Sequence, residues 1–451
     1  MAKKQLTIEE KLEAALVPVE EQPYKVPDNW CWVRLGSIST NQYGYSAKAI
    51  YDSNYPRMLR ITDIKEDGVD WKSVPNCVID DETKEKYLLQ TDDIVVARTG
   101  ATTGKSYLLV NPDNAVFASY LIRLRITREV LPSYIYLFLQ SSLYWNQITD
   151  LAAGIAQPGV NSSKLLTLMV PLPEKAEQSR IVARIESLFA KLDEAKEKIQ
   201  EVLDGADLRR AAILHQAFTG KLTEKWRKEN SVDDESWKEK LFADFCETQY
   251  GYTESATNDP IGPKFLRITD IQDNQVEWNK VPYCKITNDD FEKYRLSDGD
   301  IVVARTGATT GKSFLIEDVT DAVFASYLIG IKIKEKSMVM PHFVYKFMQS
   351  SFYWQQITDF KIGIAQPGVN AKKIKALRIK IPQIEEQQEI VRLLDNLLSR
   401  EQATVTACEE ALTTIDTLKK SILACAFRGE LGTNDPAEPN AKELLKEILS
   451  A

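Results

Sequence analysis

The chain is expected to be an α+β protein: two tandem domains of mixed helix and strand, each followed by a long helix. Two observations predict this. The stretch Ile94-Val-Val-Ala-Arg-Thr-Gly-Ala-Thr-Thr-Gly-Lys-Ser106 returns letter for letter as Ile301 to Ser313, an offset of 207 residues. After each copy the apolar period changes from short strand-like runs to a heptad stripe. The offset of 207 also carries Leu59–Ile64 onto Leu266–Ile271 and Phe117–Ile122 onto Phe324–Ile329. Farther on it becomes 209, carrying Gly154–Asn161 onto Gly363–Asn370. A period this long lies far beyond that of a solenoid, so each copy is a whole domain with its attachment.

The elements follow in order. Thr7 caps a short helix over 7–17, with Glu10 completing a capping box and Pro18 ending it. Residues 1–22 form this N-terminal region, and 23–173 the first domain, opening near Trp30-Cys-Trp-Val-Arg-Leu-Gly36. Strands are expected at Met58–Ile64, Asp93–Ala97, Tyr107–Val110 and Phe117–Ile126. A helix is expected over Ser133–Asp150, from the spacing of Ile135, Leu139, Leu143 and Ile148. From 174 to 222 the seam Ile185, Leu188, Leu192, Ala195 and Ile199 marks a long helix. Its counterpart over 385–431 carries Leu394, Leu397, Ile415 and Leu418. Glu401 and Thr404 replace Leu192 and Ala195 there, so this second seam is polar in its middle. Two long helices with one narrow stripe each most simply pair with each other, antiparallel. Residues 223–236 are polar and expected as a linker, 237–384 form the second domain, and 432–451 end in a short helix.

Composition narrows the functions. With 44% hydrophobic and 27% charged residues among 451, the chain is of the globular class. It begins with no apolar leader and holds no run of 18 apolar residues, which predicts a cytoplasmic protein. Six scattered cysteines, none in a C-x-x-C pair, and two histidines argue for reduced thiols and against a zinc site. A net charge of −8 does not advertise a nucleic-acid binder.

The repeated loop Gly100-Ala-Thr-Thr-Gly-Lys-Ser106 invites comparison with a phosphate-binding P-loop. That loop needs four residues between its glycines and a helix after its lysine. Here there are three, and Ser-Tyr-Leu-Leu-Val110 is suited to a strand, so a hairpin is the better reading. His215 and His342 sit on apolar helical segments, and His215 becomes Ala424 at its repeat position, which speaks against catalysis.

Several repeated polar groups lack an obvious structural need. Arg98, Thr99, Thr102, Thr103, Lys105 and Ser106 surround the first loop. Arg305, Thr306, Thr309, Thr310, Lys312 and Ser313 surround the second. Arginine, lysine and threonine can meet a phosphate or a base edge; the alternative is a charged hairpin tip whose hydroxyls close turns. Tyr43, Tyr45 and Tyr120, with Tyr250, Tyr252 and Tyr327, are candidates for stacking or phosphate contacts, and Lys48 is a further candidate cation. Gln157 and Asn161, with Gln366 and Asn370, could pair adenine, although Pro-Gly with Asn is also ordinary turn chemistry. Trp71 and Trp278 are expected in the core.

Together these motifs carry a resemblance. The order Trp-x-x-x-x-Leu-Gly, then Asp-Ile-Val-Val-Ala-Arg-Thr-Gly-Ala-Thr-Thr-Gly-Lys, then Gly-Ile-Ala-Gln-Pro-Gly-Val-Asn is similar to a target recognition domain. Val170-Pro-Leu-Pro173, Glu177-Gln178, Ile181-Val182 and the helix ending Ala217-Phe-Thr-Gly-Lys-Leu222 resemble its helical spacer. The whole resembles the DNA specificity subunit of type I restriction-modification systems, twice over. The second copy departs at Ile381-Pro-Gln-Ile384, two residues shorter, and at Arg428 and Glu430, which replace Thr219 and Lys221.

The resemblance implies a non-catalytic subunit with approximate two-fold symmetry that reads a split DNA target. It implies docking of two methylation subunits and of restriction subunits. S-adenosylmethionine, ATP and magnesium would then be held by those partners, with no cofactor on this chain. Alternatives from other classes are a duplicated nucleotide-binding enzyme and a coiled-coil scaffold. The close likeness of the two loops predicts similar half-sites, hence a near-palindromic target.

Overall fold

The computed structural model describes residues 7–65, 68–152, 159–272, 275–319, 321–360 and 368–450. The chain divides into two compact units that do not follow chain order. The first holds residues 1–199 and 410–451, the second residues 200–409.

In the first unit Thr7 caps the helix Ile8–Ala15, and Glu10 closes the capping box back onto it. A four-stranded antiparallel sheet runs Ser39–Tyr43, Leu121–Ile126, Ile94–Ala97, Ser106–Leu108 in spatial order. The strand Ala115–Phe117 leaves it to pair in parallel with Arg57–Leu59. The expected strand Met58–Ile64 is cut short, because Arg60 and Asp63 pair side chain to side chain at 2.7 Å and hold a 3-10 turn over Ile61–Asp63. The helix expected over Ser133–Asp150 is two helices, Pro132–Phe138 and Ser142–Ala152. Apolar faces of sheet and helices meet in one large core that includes Val33, Ile94, Ile122, Tyr134 and Phe138. Leu423, Ala426 and Phe427, from the end of the last long helix, complete that core.

The second unit repeats the plan with Cys246–Tyr250, Leu328–Ile333, Ile301–Ala304 and Ser313–Leu315 in the same order. Leu214, Ala217 and Phe218 take the part of Leu423, Ala426 and Phe427 in its core.

The long helices differ between repeats. The first is Lys175–Asp204, interrupted at Gly205 before Ala206–Phe218; the second runs unbroken over Ile384–Arg428. Within each unit a segment of one helix meets a segment of the other, and polar contacts replace part of the expected seam. Lys419 meets Asp193 and lies 5.1 Å from the Phe189 ring in the first unit. Arg209 meets Glu401 at 2.7 Å in the second. Of the expected seam residues, Ile185, Leu394 and Ile415 are buried, while Leu188, Leu192, Ile199 and Leu397 are half-buried. Leu418 is a correction: it stays 44% exposed, since the neighbouring Lys419 takes the inward position.

The stretch 223–236 also departs from a plain linker. It folds as a helix over Glu224–Glu229 and buries Arg227 against Glu386 at 2.6 Å.

Candidate nucleic-acid interface

The repeated loop is the turn of a β-hairpin, with Ile94↔Leu108 and Val96↔Ser106 in register. Gly100 and Gly104 adopt positive φ, and a Cβ on Gly104 would stand 3.0–3.1 Å from Ile148 and Trp145. The loop is held from beneath, where the buried Tyr144 hydroxyl donates to the Gly104 carbonyl at 2.6 Å. Burial pushes that phenol well above its ordinary pKa, so it stays a neutral donor. Tyr353 does the same for Gly311 at 2.7 Å. Lys105 and Lys312 are followed by strands rather than helices, which excludes the P-loop arrangement.

Arg98 is fixed on four sides. Its backbone N–H donates to the Tyr120 carbonyl and its own carbonyl accepts from Val160. Its guanidinium donates to the Ser119 carbonyl at 3.4 Å and lies 4.8 Å from the centre of the Tyr43 ring. The Tyr43 hydroxyl accepts from the Ser162 N–H at 2.8 Å.

The second unit reproduces this. Arg305 bonds Tyr327, Val369 and Ser326 in the same way and lies 4.9 Å from Tyr250. The Tyr250 hydroxyl accepts from Ala371 at 3.2 Å. Two aromatic–arginine pairs with matching partners therefore stand at the edges of equivalent sheets. Around each pair lie exposed groups of one kind: Thr99, Lys105 and Tyr120, or Thr306, Lys312 and Tyr327.

Other expected site residues divide. Thr103 and Thr310 donate their hydroxyls to the Gly100 and Gly307 carbonyls and so close the turns. Thr102 and Thr309 are half-buried on the same loops. Ser106 turns inward to accept from Gln140 at 2.8 Å, and Ser313 is half-buried. Tyr45 and Tyr252 pack against Tyr87 and Tyr294 at 5.3 and 5.2 Å, which makes them framework aromatics. Lys48 is exposed. Asn161 and Asn370 cap short helices by accepting from Lys164 and Lys373. Gln157 and Gln366 lie outside the described residues. Trp71 and Trp278 are half-buried against secondary clusters rather than central.

Sequence reasoning passed over Gln349 and Arg210. In the second unit they border, with Lys312, Thr309 and Trp354, a cavity of about 660 Å³ beside the loop. Gln349 and Arg210 come from elements remote in sequence from the loop, and no local motif marks them.

The remaining chemistry is plain. His215 stacks on Phe352 at 5.1 Å, and His342 meets Glu317 at 2.9 Å. Cys77 and Cys284 are buried; burial raises both thiols, Cys284 to about 11, which keeps them protonated and unreactive. Among the described residues no group of His, Cys, Asp or Glu is placed to hold a metal ion, and no helix is long and apolar enough to cross a membrane.

Known proteins share this architecture. The family described as type I restriction modification DNA specificity domain matches residues 27–204 and again 234–411. The chain is similar to the type I restriction enzyme EcoKI specificity subunit of Escherichia coli K12, 26% identical over 431 residues with 92% of each covered. The StySPI specificity subunit of Salmonella potsdam is likewise 26% identical, with 92% of each covered. The fold matches the HsdS subunit from Thermoanaerobacter tengcongensis, TM-score 0.63 at 19% identity, over 92% of this chain and all of that one. It also matches a chain from a structural study of complex assembly and conformational transition of the type I R-M system. There the TM-score is 0.68 at 18% identity, with 91% of this chain and 100% of that chain covered.

Proposed function

From a chain that belongs to the type I restriction modification DNA specificity domain family over both repeats, we propose the sequence-specific DNA-recognition subunit of a type I restriction-modification complex. The observation that carries this reading is the twin Arg98–Tyr43 and Arg305–Tyr250 pairs, whose arginine-to-ring distances agree within 0.1 Å. Each pair stands at an exposed sheet edge among threonine, lysine and tyrosine. An arginine held rigid over a ring loses little freedom on meeting a guanine edge, which it can pair bidentately. Exposed lysines and tyrosines beside it suit phosphate contacts that fix register.

Two such sites read a bipartite target, and their likeness makes the half-sites similar, so the target is near-palindromic. The chain itself carries out no chemistry and holds no cofactor. Two methylation subunits dock on it and bring S-adenosylmethionine to adenine. Restriction subunits add cleavage with ATP and magnesium. A net charge of −8 fits a chain that shares its hold on DNA with such partners.

The test is reconstitution. The methylation subunits are combined with this chain or with a different specificity subunit, and methylated adenines are mapped. Sites that follow the identity of this chain support the reading; sites unchanged by its exchange or omission overturn it.

A further inference from the structure

Next to the twin arginines lies a segment that the two repeats do not share. It starts directly after Tyr45 and Tyr252. In the first unit it reads Ser46-Ala-Lys-Ala-Ile-Tyr-Asp-Ser-Asn-Tyr-Pro56, and in the second Thr253-Glu-Ser-Ala-Thr-Asn-Asp-Pro-Ile-Gly-Pro263. Only the alanine, the aspartate and the final proline keep their places. The loop and tyrosines beside it are letter for letter the same.

The backbone frame of the segment does not change with its side chains. Tyr45 and Tyr252 each accept from a serine N–H, Ser119 and Ser326, at 2.9 Å. These are the serines whose carbonyls receive the Arg98 and Arg305 guanidinium groups. Farther along, Ile50 pairs with Asn76, and Thr257 with Tyr283 at the equivalent place. The segment is therefore one hydrogen-bonded step from the arginine site, and its far end is held too, the Pro56 and Pro263 carbonyls accepting from Cys77 and Cys284.

Most of its varied side chains face outward. Tyr51 is 85% exposed and Ile261 60%, and Lys48 and Glu254 are exposed as well. The chemistry differs in sign: the first segment offers the donor Lys48, the second the acceptor Glu254. Lysine donates to guanine O6 and N7, whereas glutamate accepts from the cytosine amino group.

We infer that residues 46–56 and 253–263 are the specificity-determining segments that make the two half-sites differ, beside the bases that the shared residues read in common. This rests on the DNA-recognition reading above. Two adjacent surfaces thus share the reading of each half-site. An invariant arginine–tyrosine pair sets the common part, and the segment next to it sets the part peculiar to each.

The experiment uses the full chain assembled with its methylating partners. Residues 46–56 are replaced by the sequence of 253–263, and methylated adenines are mapped for wild type and chimera. The expected wild-type map shows two half-sites that share some bases and differ at others. In the chimera the first half-site takes the second's bases at the differing positions only.

Identical wild-type half-sites, or a chimera whose first half-site is unchanged, would overturn the inference while leaving the recognition reading standing. A wild-type complex with no bipartite specificity sinks that reading itself. Should the chimera not assemble, Lys48→Ser and Tyr51→Asn carry the test. Each is expected to relax discrimination at a differing base by about tenfold, and wild-type discrimination in both would count against the segment.

Discussion

The strand pair at the base of each unit has the same architecture and opposite surroundings. In the first unit Cys31–Arg34 pairs with Met169–Leu172, and its first three residues are buried. The N-terminal arm makes them so: Leu16 bridges Val33, Val17 donates to the Trp32 carbonyl at 2.9 Å, and Tyr24 meets Trp32 edge to face at 5.1 Å. In the second unit Lys238–Leu241 pairs with Arg378–Ile381, and all four of its residues are exposed. Among the described residues no arm covers it, and the surface near Trp237 and Glu239 opens into a cavity of about 900 Å³ lined by Phe218, Phe352 and Phe360. Lys-Glu-Lys stands where the first unit has Cys-Trp-Val, and at a water-facing edge such charge discourages stray strand pairing. Duplication kept what the site needs and let the covering diverge.

This contrast can be broken most severely at Trp32. Trp32→Ala should cost about 3–5 kcal/mol, the usual loss for a buried large aromatic, whereas Glu239→Ala at the matching place should stay within about 0.5 kcal/mol. Chemical denaturation monitored by circular dichroism checks both. Equal losses would mean that the two edges are not differently covered.

A buried glutamate sharpens the comparison. Glu177 and Glu386 occupy matching places and are fully buried. Glu386 accepts from Arg227 and Thr223, both at 2.6 Å, and Arg227 is itself buried. Glu177 instead accepts from Thr433 at 3.1 Å, and Arg180 beside it is 40% exposed and engaged with Glu438. Removing Arg227 strands a buried charge, so Arg227→Ala should cost about 3–5 kcal/mol. Arg180→Ala, at a part-buried pair whose arginine is 40% exposed, should cost less, about 1 kcal/mol.

The recognition sites should behave alike where the edges do not. Arg98→Ala and Arg305→Ala are each expected to weaken DNA binding by the assembled complex by about 1–3 kcal/mol while the fold stays intact. Fluorescence anisotropy on a target duplex reads this. A loss confined to one of the two would separate the sites in function despite their shared geometry.

The smallest effect concerns pH. Burial raises the Glu177 carboxyl above its ordinary pKa, opposed by the Thr433 hydrogen bond and the charge of Arg180. A raised carboxyl binds its proton more tightly in the folded state. Its stabilising contribution is full below the unfolded value and lost as pH rises through the folded one. Relative to Glu177→Gln, the wild type should therefore gain stability as pH falls from neutral toward the ordinary carboxylate range. The opposite trend in melting temperature would contradict that assignment.

Much of this was legible in the sequence, for definite reasons. The capping box at Thr7 and Glu10 is a local pattern, and it formed as read. Three residues rather than four between glycines, followed by a β-favouring run, distinguish a hairpin from a P-loop, and the hairpin is what stands there. The Arg98–Tyr43 contact was not legible. It depends on the register of Ser39–Tyr43 against Leu121–Ile126, strands nearly eighty residues apart in the chain. Nor could the heptad stripe show that Gly205 interrupts the first long helix, since Val202 and Ala206 carry its spacing past that glycine. The polar composition of 223–236 concealed Arg227, which is buried against the distant Glu386.

The claim that joins these observations is that equal geometry at Tyr43–Arg98 and Tyr250–Arg305 means shared bases in the two half-sites. A methylated-adenine map of DNA treated with the complex of this chain and its methylating partners tests it directly. The account predicts one interrupted target whose halves, read on opposite strands, agree at a common core of bases. Two half-sites with no bases in common would contradict it.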